Sequence, residues 1–307
     1  MTTTDPRTWS IGLVGYGEVG RILAEDLKAR GSAQVTAYDI QLGTPAETPL
    51  RAHAARHGVA LAADHRDLAQ RADLVVSAVT ASQAVDVARA CAPAMRRDAW
   101  FLDFNSASPG AKRRAAEFID GAGATYVEGA VMTSVPPYRI RVPLLLGGRG
   151  ASTLAPRLEA LGFDAKVASE RLGVASATKM CRSVMIKGLE AMVIESFTTA
   201  RAYGVEDEVL ASLAETFPGI DWEKQGSYFF QRVIQHGRRR AEEVREVAQT
   251  VREIGLAPWS ASGTAERQAW MADLADRGVF GDRSAPRGNW RAEADRILRE
   301  LKDEGKR

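Results

Sequence analysis

The sequence predicts an α/β chain: a doubly wound, mostly parallel sheet, then an all-α C-terminal domain joined to it by a long interdomain helix. Two observations carry this. Over residues 10–146, short apolar runs of strand length alternate with stretches of helical spacing, the pattern of strands covered by helices on both faces. After about residue 168 the strand-length runs stop and only helical periodicity remains. The chain of 307 residues is long enough for two domains, and the change of pattern places them at 1–168 and 169–307.

The first strand, Ser10-Ile11-Gly12-Leu13-Val14, runs directly into Gly15-Tyr16-Gly17-Glu18-Val19-Gly20. Residues 18–30 carry helical spacing, with Val19, Ile22, Leu23 and Leu27 on one face, and Gly31 ends that helix. Residues 35–39 are the next strand, which stops at an acid, Asp39. Strand, Gly-x-Gly-x-x-Gly, helix, strand and acid in this order form a dinucleotide-binding fingerprint, and they make the predicted sheet Rossmann-type. Gly15 allows the tight turn, Gly17 lets a pyrophosphate approach the backbone, and Gly20 lets the helix pack closely. The helix N-terminus offers N–H groups and a partial positive charge to the phosphates. Asp39 is placed to accept from the ribose hydroxyls. Its carboxylate would repel a 2′-phosphate, and Ile40-Gln41-Leu42 adds no cation. NAD is therefore expected, with NADP as the alternative if Arg51 or Arg56 folds back.

Residues 41–49 read as a loop, 50–57 as a helix and 59–61 as a short strand, with Asp64 capping a short helix through Leu68. Residues 73–79 form a buried strand, followed by a turn at 80–82 and a helix to about Ala92. Residues 100–103 are another strand, and Pro109 suits the first turn of a helix to Phe118. Residues 125–131 and 142–146 are the last clear strands. In such sheets ligands bind beyond the carboxyl ends of the strands, where the loops at 15–20, 80–82 and 104–108 all fall. Val79, Thr80, Asn105 and Ser106 are thus candidates for the nicotinamide side, set against ordinary strand-to-helix turns. The second half reads as a long helix over 172–203, then helices near 206–215, 221–236, 239–254, 258–277 and 290–303. That is a two-domain enzyme layout with a cleft between the domains.

The long helix is mostly apolar, yet Ser176, Lys179, Ser183, Lys187 and Glu190 follow spacings of three, four, four and three. They form one polar stripe on a rod that is otherwise suited to burial. One reading is a solvent-facing stripe with salt bridges such as Lys187 to Glu190. The other turns the stripe to the cleft, where desolvation lowers the pKa of Lys179 and fits it for proton transfer to an alcohol or carbonyl oxygen.

The totals limit the remaining classes. The net charge of +2 gives no global field for nucleic acid or a membrane surface. No apolar run reaches membrane-span length, and the opening residues lack the apolar core of a signal peptide, so a cytoplasmic protein is expected. Cys91 and Cys181 lie far apart without metal or redox spacing. His53 and His57 are spaced i, i+4, but no third ligand is legible, so a solvated helix face is preferred and no metal is expected. Arg238-Arg239-Arg240 reads as charged helix surface, and Trp222, Tyr228, Phe229 and Phe230 as helical core. Arg139 and Arg141 either bind an acidic group or are strand-edge charges. The apolar faces of the helical half point to a homodimer.

At the level of motifs the chain resembles the β-hydroxyacid dehydrogenase superfamily, which includes 3-hydroxyisobutyrate and 6-phosphogluconate dehydrogenases. The likeness covers most of residues 10–200. IGLVGYGEVG resembles the cofactor motif, and DFNSASP (103–109) resembles the Asp-x-Ser-Thr-x-x-Pro segment near the nicotinamide. EGAVMTSVPP (128–137) and LLLGG (144–148) sit where the substrate-binding strand and turn occur. GVASATKMCRS (173–183) resembles the helix start that carries the catalytic lysine, matched by Lys179. The helical remainder is most similar to poorly characterised phosphogluconate-dehydrogenase-like proteins. The resemblance implies an NAD(P)-dependent oxidoreductase acting on a small hydroxy acid or related polar alcohol. Lys179 would be the general acid and base, with Ser106, Met132, Thr133, Ser134 and Ser183 around the substrate. Three positions depart from the pattern: Met132-Thr133-Ser134 replaces Ser-Gly-Gly, Ser183 replaces an asparagine, and Ile186 stands where the 6-phosphogluconate enzymes carry a glutamate. Oxidative decarboxylation of a sugar phosphate by that route is not expected. Related imine reductases usually lack the lysine. An imine or ketone reductase and a non-catalytic NAD(H) sensor are the alternatives.

Overall fold

The computed structural model describes residues 5–32, 34–283, 285 and 289–304. The chain divides into two compact units, Met1–Met180 and Cys181–Arg307.

The first unit is built on eight strands: β1 (Ser10–Val14), β2 (Gln34–Tyr38), β3 (Ala60–Leu61), β4 (Leu74–Ser77), β5 (Trp100–Asp103), β6 (Thr125–Val131), β7 (Pro143–Gly147) and β8 (Asp164–Ser169). They lie in the order β3-β2-β1-β4-β5-β6-β7-β8. All pairings are parallel except β6 with β7. The helices are α1 (Glu18–Ala29), α2 (Thr48–His57), α3 (His65–Ala69), α4 (Ala84–Cys91), α5 (Pro109–Gly121), the short α6 (Val135–Tyr138) and α7 (Ala151–Leu161). Along the central strands alternate residues enter different cores. Ile11, Leu13, Leu74, Val76, Leu102 and Val127 meet α1, α2 and α7 in one cluster. Val75, Phe101 and Tyr126 meet α3, α4 and α5 in another. This two-residue period with both sides apolar is what a doubly wound sheet requires. Each fully buried Leu or Val contributes about 1.5–3 kcal/mol.

The helix starts follow local chemistry. Asp64 accepts from the Asp67 N–H at the start of α3. Ser108 caps α5, accepting from the Ala111 N–H, with Pro109 in the first turn. Three elements of this unit, α6, α7 and β8, have no counterpart in the sequence expectations. Helix α6 is a single turn containing two prolines, and α7 carries Pro156 inside it. Strand β8 is an edge strand whose middle residues are exposed, so it lacks a continuous apolar run.

Helix α8 (Val174–Tyr203) begins in the first unit and continues into the second. The compact units part after Met180, inside this helix, whose first turns are bonded to the sheet, as described below. The second unit continues with α9 (Glu206–Thr216), α10 (Trp222–Arg252), α11 (Trp259–Asp276) and α12 (Trp290–Glu304). Its core gathers Ile194, Phe197, Phe230, Val233, Ile234, Met271, Leu274, Trp290 and Ile297. The sequence suggested two helices over 221–254; the structure has one. Gly237 does not break it, because the missing side chain lets α10 run against α11: a Cβ there would lie 2.8 Å from the Gln268 carbonyl oxygen. Among the described residues no helix is long and apolar enough to cross a membrane.

Candidate active site

The C-terminal ends of β1, β4 and β5 lie level, with Val14 beside Ser77 and Ser77 beside Asp103. The candidate residues of the first unit collect at this edge.

The three glycines after β1 have different physical reasons. Gly15 has φ of +91°, and a Cβ there would be 2.4 Å from the Ala78 carbonyl oxygen. At Gly20 a Cβ would be 2.0 Å from the Gly15 carbonyl oxygen, so the start of α1 is pressed onto the turn. At Gly17 a Cβ would meet nothing within 4 Å. Gly17 is the N-cap of α1 and no side chain caps that helix end. The space over Gly17 and the N–H groups of the first turn suit a phosphate. Glu18 is exposed in that turn, while Val19 packs on the core. The Tyr16 side chain points the other way. It is wholly buried, burial pushes its phenol up to about 12, and its hydroxyl meets His53 Nδ1 at 2.8 Å. Asp39 follows β2 directly and ties the loop together, accepting from the Tyr16 N–H at 2.7 Å and the Gln41 N–H at 2.9 Å. Each carboxylate oxygen keeps a lone pair for a ribose hydroxyl. Arg51, one of the two cations considered near it, pairs instead with Glu47 at 2.8 Å.

Between β4 and β5 the backbone is held by Asn105. Its Oδ1 accepts from the Val79 N–H at 2.7 Å, and its Nδ2 donates to Ser77 Oγ and to Asp103 Oδ1. Thr80 is exposed and pairs with Ser82. Beneath lies a buried network with Asp103 at its centre. Lys112 Nζ is 2.9 Å from Asp103 Oδ1 and also donates to the Asp103 carbonyl oxygen. The Tyr126 hydroxyl donates to Asp103 Oδ2 at 2.6 Å. Burial and the Asp103 carboxylate push the Tyr126 phenol well above its usual range, so it stays a donor. The sequence reading missed Lys112 and Tyr126. A signal existed for Lys112: it shares a helix face with Ala115, Ala116 and Ile119, all buried.

Lys179 comes to this edge. Its Nζ donates to Ser106 Oγ at 2.5 Å, next to Asn105. The start of its helix is fixed by Glu128, a wholly buried acid in β6. Glu128 accepts from the N–H groups of Gly173 (2.7 Å), Ala175 (3.1 Å) and Ser176 (3.3 Å). A carboxylate at a helix N-terminus satisfies donors that lack partners in the helix and opposes the helix dipole. Gly147 on β7 leaves the room: a Cβ there would be 2.3 Å from Glu128 Oε1. Met132, Thr133 and Ser134 follow the end of β6, which runs past the level of Asp103; Thr133 is exposed and Ser134 is the N-cap of α6. Arg139 is engaged by α1, donating to Asp26 at 2.8 Å and Glu25 at 2.6 Å, which takes it from the acidic-ligand role.

The remainder of the polar stripe lies in the second unit and is not solvent-facing. Ser183, Lys187 and Glu190 are buried. Lys187 pairs with Glu243 at 2.5 Å, and Glu190 pairs with Arg240, so the expected Lys187–Glu190 bridge is replaced by bonds to α10. Burial lowers the Lys187 pKa, against the pull of Glu243. Arg240 is accordingly buried, and only Arg238 and Arg239 of that triplet are surface charges.

The fold is the NAD(P)-binding, 3-hydroxyacid dehydrogenase-like one. Residues 10–152 match the NAD binding domain of 6-phosphogluconate dehydrogenase, and residues 200–271 match a domain of unknown function, DUF1932. A conserved hypothetical protein from Sinorhizobium meliloti has a structure similar over 94% of this chain and 96% of its own, at TM-score 0.77 and 37% identity. An uncharacterised 28.5 kDa protein of Methanothermus fervidus is 30% identical over 81% of this chain and 93% of its own length. A conserved protein of unknown function, described as structurally similar to 3-hydroxyacid dehydrogenases, is 28% identical at TM-score 0.68 over 88% of this chain and 99% of its own. The chain belongs to the superfamily of 6-phosphogluconate and 3-hydroxyisobutyrate dehydrogenases, in its branch with a DUF1932 C-terminal domain.

Proposed function

We propose that the chain is an NAD(P)-dependent oxidoreductase that moves a hydride between the nicotinamide and a small hydroxy acid or related polar alcohol. One observation carries the reading: the Lys179 ammonium is held against Ser106 Oγ at the carboxyl edge of the sheet, beside the Asn105 that orders the β4 turn. When bound, the dinucleotide supplies the hydride acceptor. The open space at Gly17, the uncapped N-terminus of α1 and the carboxylate of Asp39 fit its pyrophosphate and ribose. Asp39 favours NAD over NADP by charge. Lys179, as the neutral amine, takes the hydroxyl proton as the C–H hydride leaves the same carbon, giving a carbonyl and an ammonium. In reverse the ammonium returns the proton. Ser106 orients the lysine, and Thr133 and Ser134 supply hydroxyls for the substrate, with Met132 completing the set.

The test is a panel of small hydroxy acids and polyols with NAD and with NADP, read as nicotinamide reduction. Turnover with at least one hydroxy acid supports the reading. Binding of NAD without turnover of any panel member, carbonyl or imine favours a sensor, which has no need of a lysine at Ser106. We also propose a homodimer through the second unit, whose Met185, Met192, Tyr203 and Trp259 are exposed. Sedimentation at micromolar concentration showing only the 33.2 kDa chain would contradict it.

A further inference from the structure

We propose that Glu25, His53 and His57 form a site for a divalent cation of the zinc type, seated behind the glycine-rich loop. The two histidines sit one turn apart on α2, and Glu25 of α1 supplies the third group that sequence spacing does not reveal. One ligand atom from each lies within 4.8 Å of the others. The two imidazoles are stacked at 4.4 Å and 28°. Glu25 Oε1 is 2.8 Å from His53 Nε2. All three residues are partly buried, open to solvent on one side for an ion to enter and keep a water as a further ligand.

The surroundings already have the form of an outer shell. The other nitrogen of His53, Nδ1, meets the Tyr16 hydroxyl at 2.8 Å. The other oxygen of Glu25, Oε2, takes the Arg139 guanidinium at 2.6 Å. Metal-binding imidazoles and carboxylates are usually held in this way at the atom that faces away from the ion. A His–Glu hydrogen bond alone would need neither the stacked His57 nor both outer partners.

The proton count is consistent. A carboxylate only accepts, so Nε2 of a neutral His53 carries the ring proton and Nδ1 accepts from Tyr16. With a cation on Nε2 the ring holds its one proton at Nδ1, and the Tyr16 oxygen becomes the acceptor. The hydrogen bond to Tyr16 reverses and no proton is lost. Two imidazoles and one carboxylate suit Zn²⁺, Co²⁺ or Ni²⁺ and not Mg²⁺ or Ca²⁺, which prefer oxygen ligands. Since Tyr16 lies between Gly15 and Gly17, an ion here braces the turn that holds the pyrophosphate.

The test is calorimetric titration of the full chain with Zn²⁺ and with Mg²⁺, and the visible spectrum with Co²⁺. It uses neither substrate nor nucleotide and so stands apart from the oxidoreductase reading. Expected are one Zn²⁺ per chain, no saturable Mg²⁺ binding, and Co²⁺ bands of a low-symmetry nitrogen–oxygen site. His57→Ala, at a partly exposed position, should keep the metal-free melting temperature and lose the binding. Tyr16→Phe should weaken it by about 10–100-fold, the usual effect of losing an outer-shell partner. Absence of saturable Zn²⁺ binding overturns the proposal. So does Zn²⁺ affinity unchanged in His57→Ala, a result that stands even if Tyr16→Phe does not fold.

Discussion

Replacing Glu128 by Gln tests how the lysine-bearing helix is held. The carboxylate accepts three backbone N–H groups at 2.7, 3.1 and 3.3 Å and has no solvent exposure. Hydrogen bonds to a charged group are worth about 1.5–3 kcal/mol each and neutral ones about 0.5–1.5. An amide in the same place keeps its oxygen on Gly173 and Ala175, and its NH₂ faces the Ser176 N–H, donor against donor. Two bonds therefore weaken by about 1 kcal/mol each and the long third one, at about 1.5 kcal/mol, is lost, for a sum of about 3.5 kcal/mol. At about 2–4 °C per kcal/mol for a unit of this size, Glu128→Gln should melt about 7–14 °C lower. Glu117→Gln, an exposed control on α5, should change stability by less than about 0.5 kcal/mol. Hydrogen exchange adds a local readout: amides of residues 173–180 should exchange faster in Glu128→Gln, while those of β1 and β4 keep their protection. Unchanged exchange over 173–180, with an unchanged melting temperature, would show that Glu128 does not anchor α8.

Gly17→Val should keep the fold, since its side chain meets nothing, and should abolish NAD binding in calorimetry; Gly20→Ala should instead lower the melting temperature, because its Cβ collides with the Gly15 carbonyl. Asp39→Ala should narrow the NAD over NADP affinity ratio; an unaltered ratio removes Asp39 from the ribose. Lys112→Met leaves the buried Asp103 carboxylate without its cation and should cost about 3–5 kcal/mol in urea unfolding. Adding Asp103→Asn to it should recover part of that loss, and no recovery would mean that the ion pair is not the cause.

What the sequence made legible was what short-range periodicity and glycine spacing encode. The fingerprint over residues 10–39 placed β1, α1 and β2 within a residue or two, because buried parallel strands are apolar throughout and a helix on a sheet has one apolar face. The polar stripe pointed to Lys179 and the loop after β5 to Ser106, but the bond between them was not legible, since 73 residues separate them and no local pattern links them. Long-range charge pairs stayed hidden for the same reason. Glu128 looks like a lone acid in an apolar strand, and its partners are backbone N–H groups 45–48 residues away. Glu25 joins the two histidines from another helix, 28 residues before His53. The stripe on α8 was visible, but Lys187 and Glu190 turned out to have partners on α10, which is one continuous helix.

Lys179 is proposed to transfer the proton in a nicotinamide-dependent reaction. The most direct measurement is steady-state turnover of wild type, Lys179→Ala and Lys179→Arg on whichever hydroxy acid the panel yields, with NAD affinity measured on the same samples. Lys179→Ala should lower kcat by about 10²–10⁴. Lys179→Arg should not rescue it, because a guanidinium does not release its proton near neutral pH. NAD affinity should change little in either variant, since the glycine turn and Asp39 are untouched. Full turnover in Lys179→Ala with the same substrate would contradict the account.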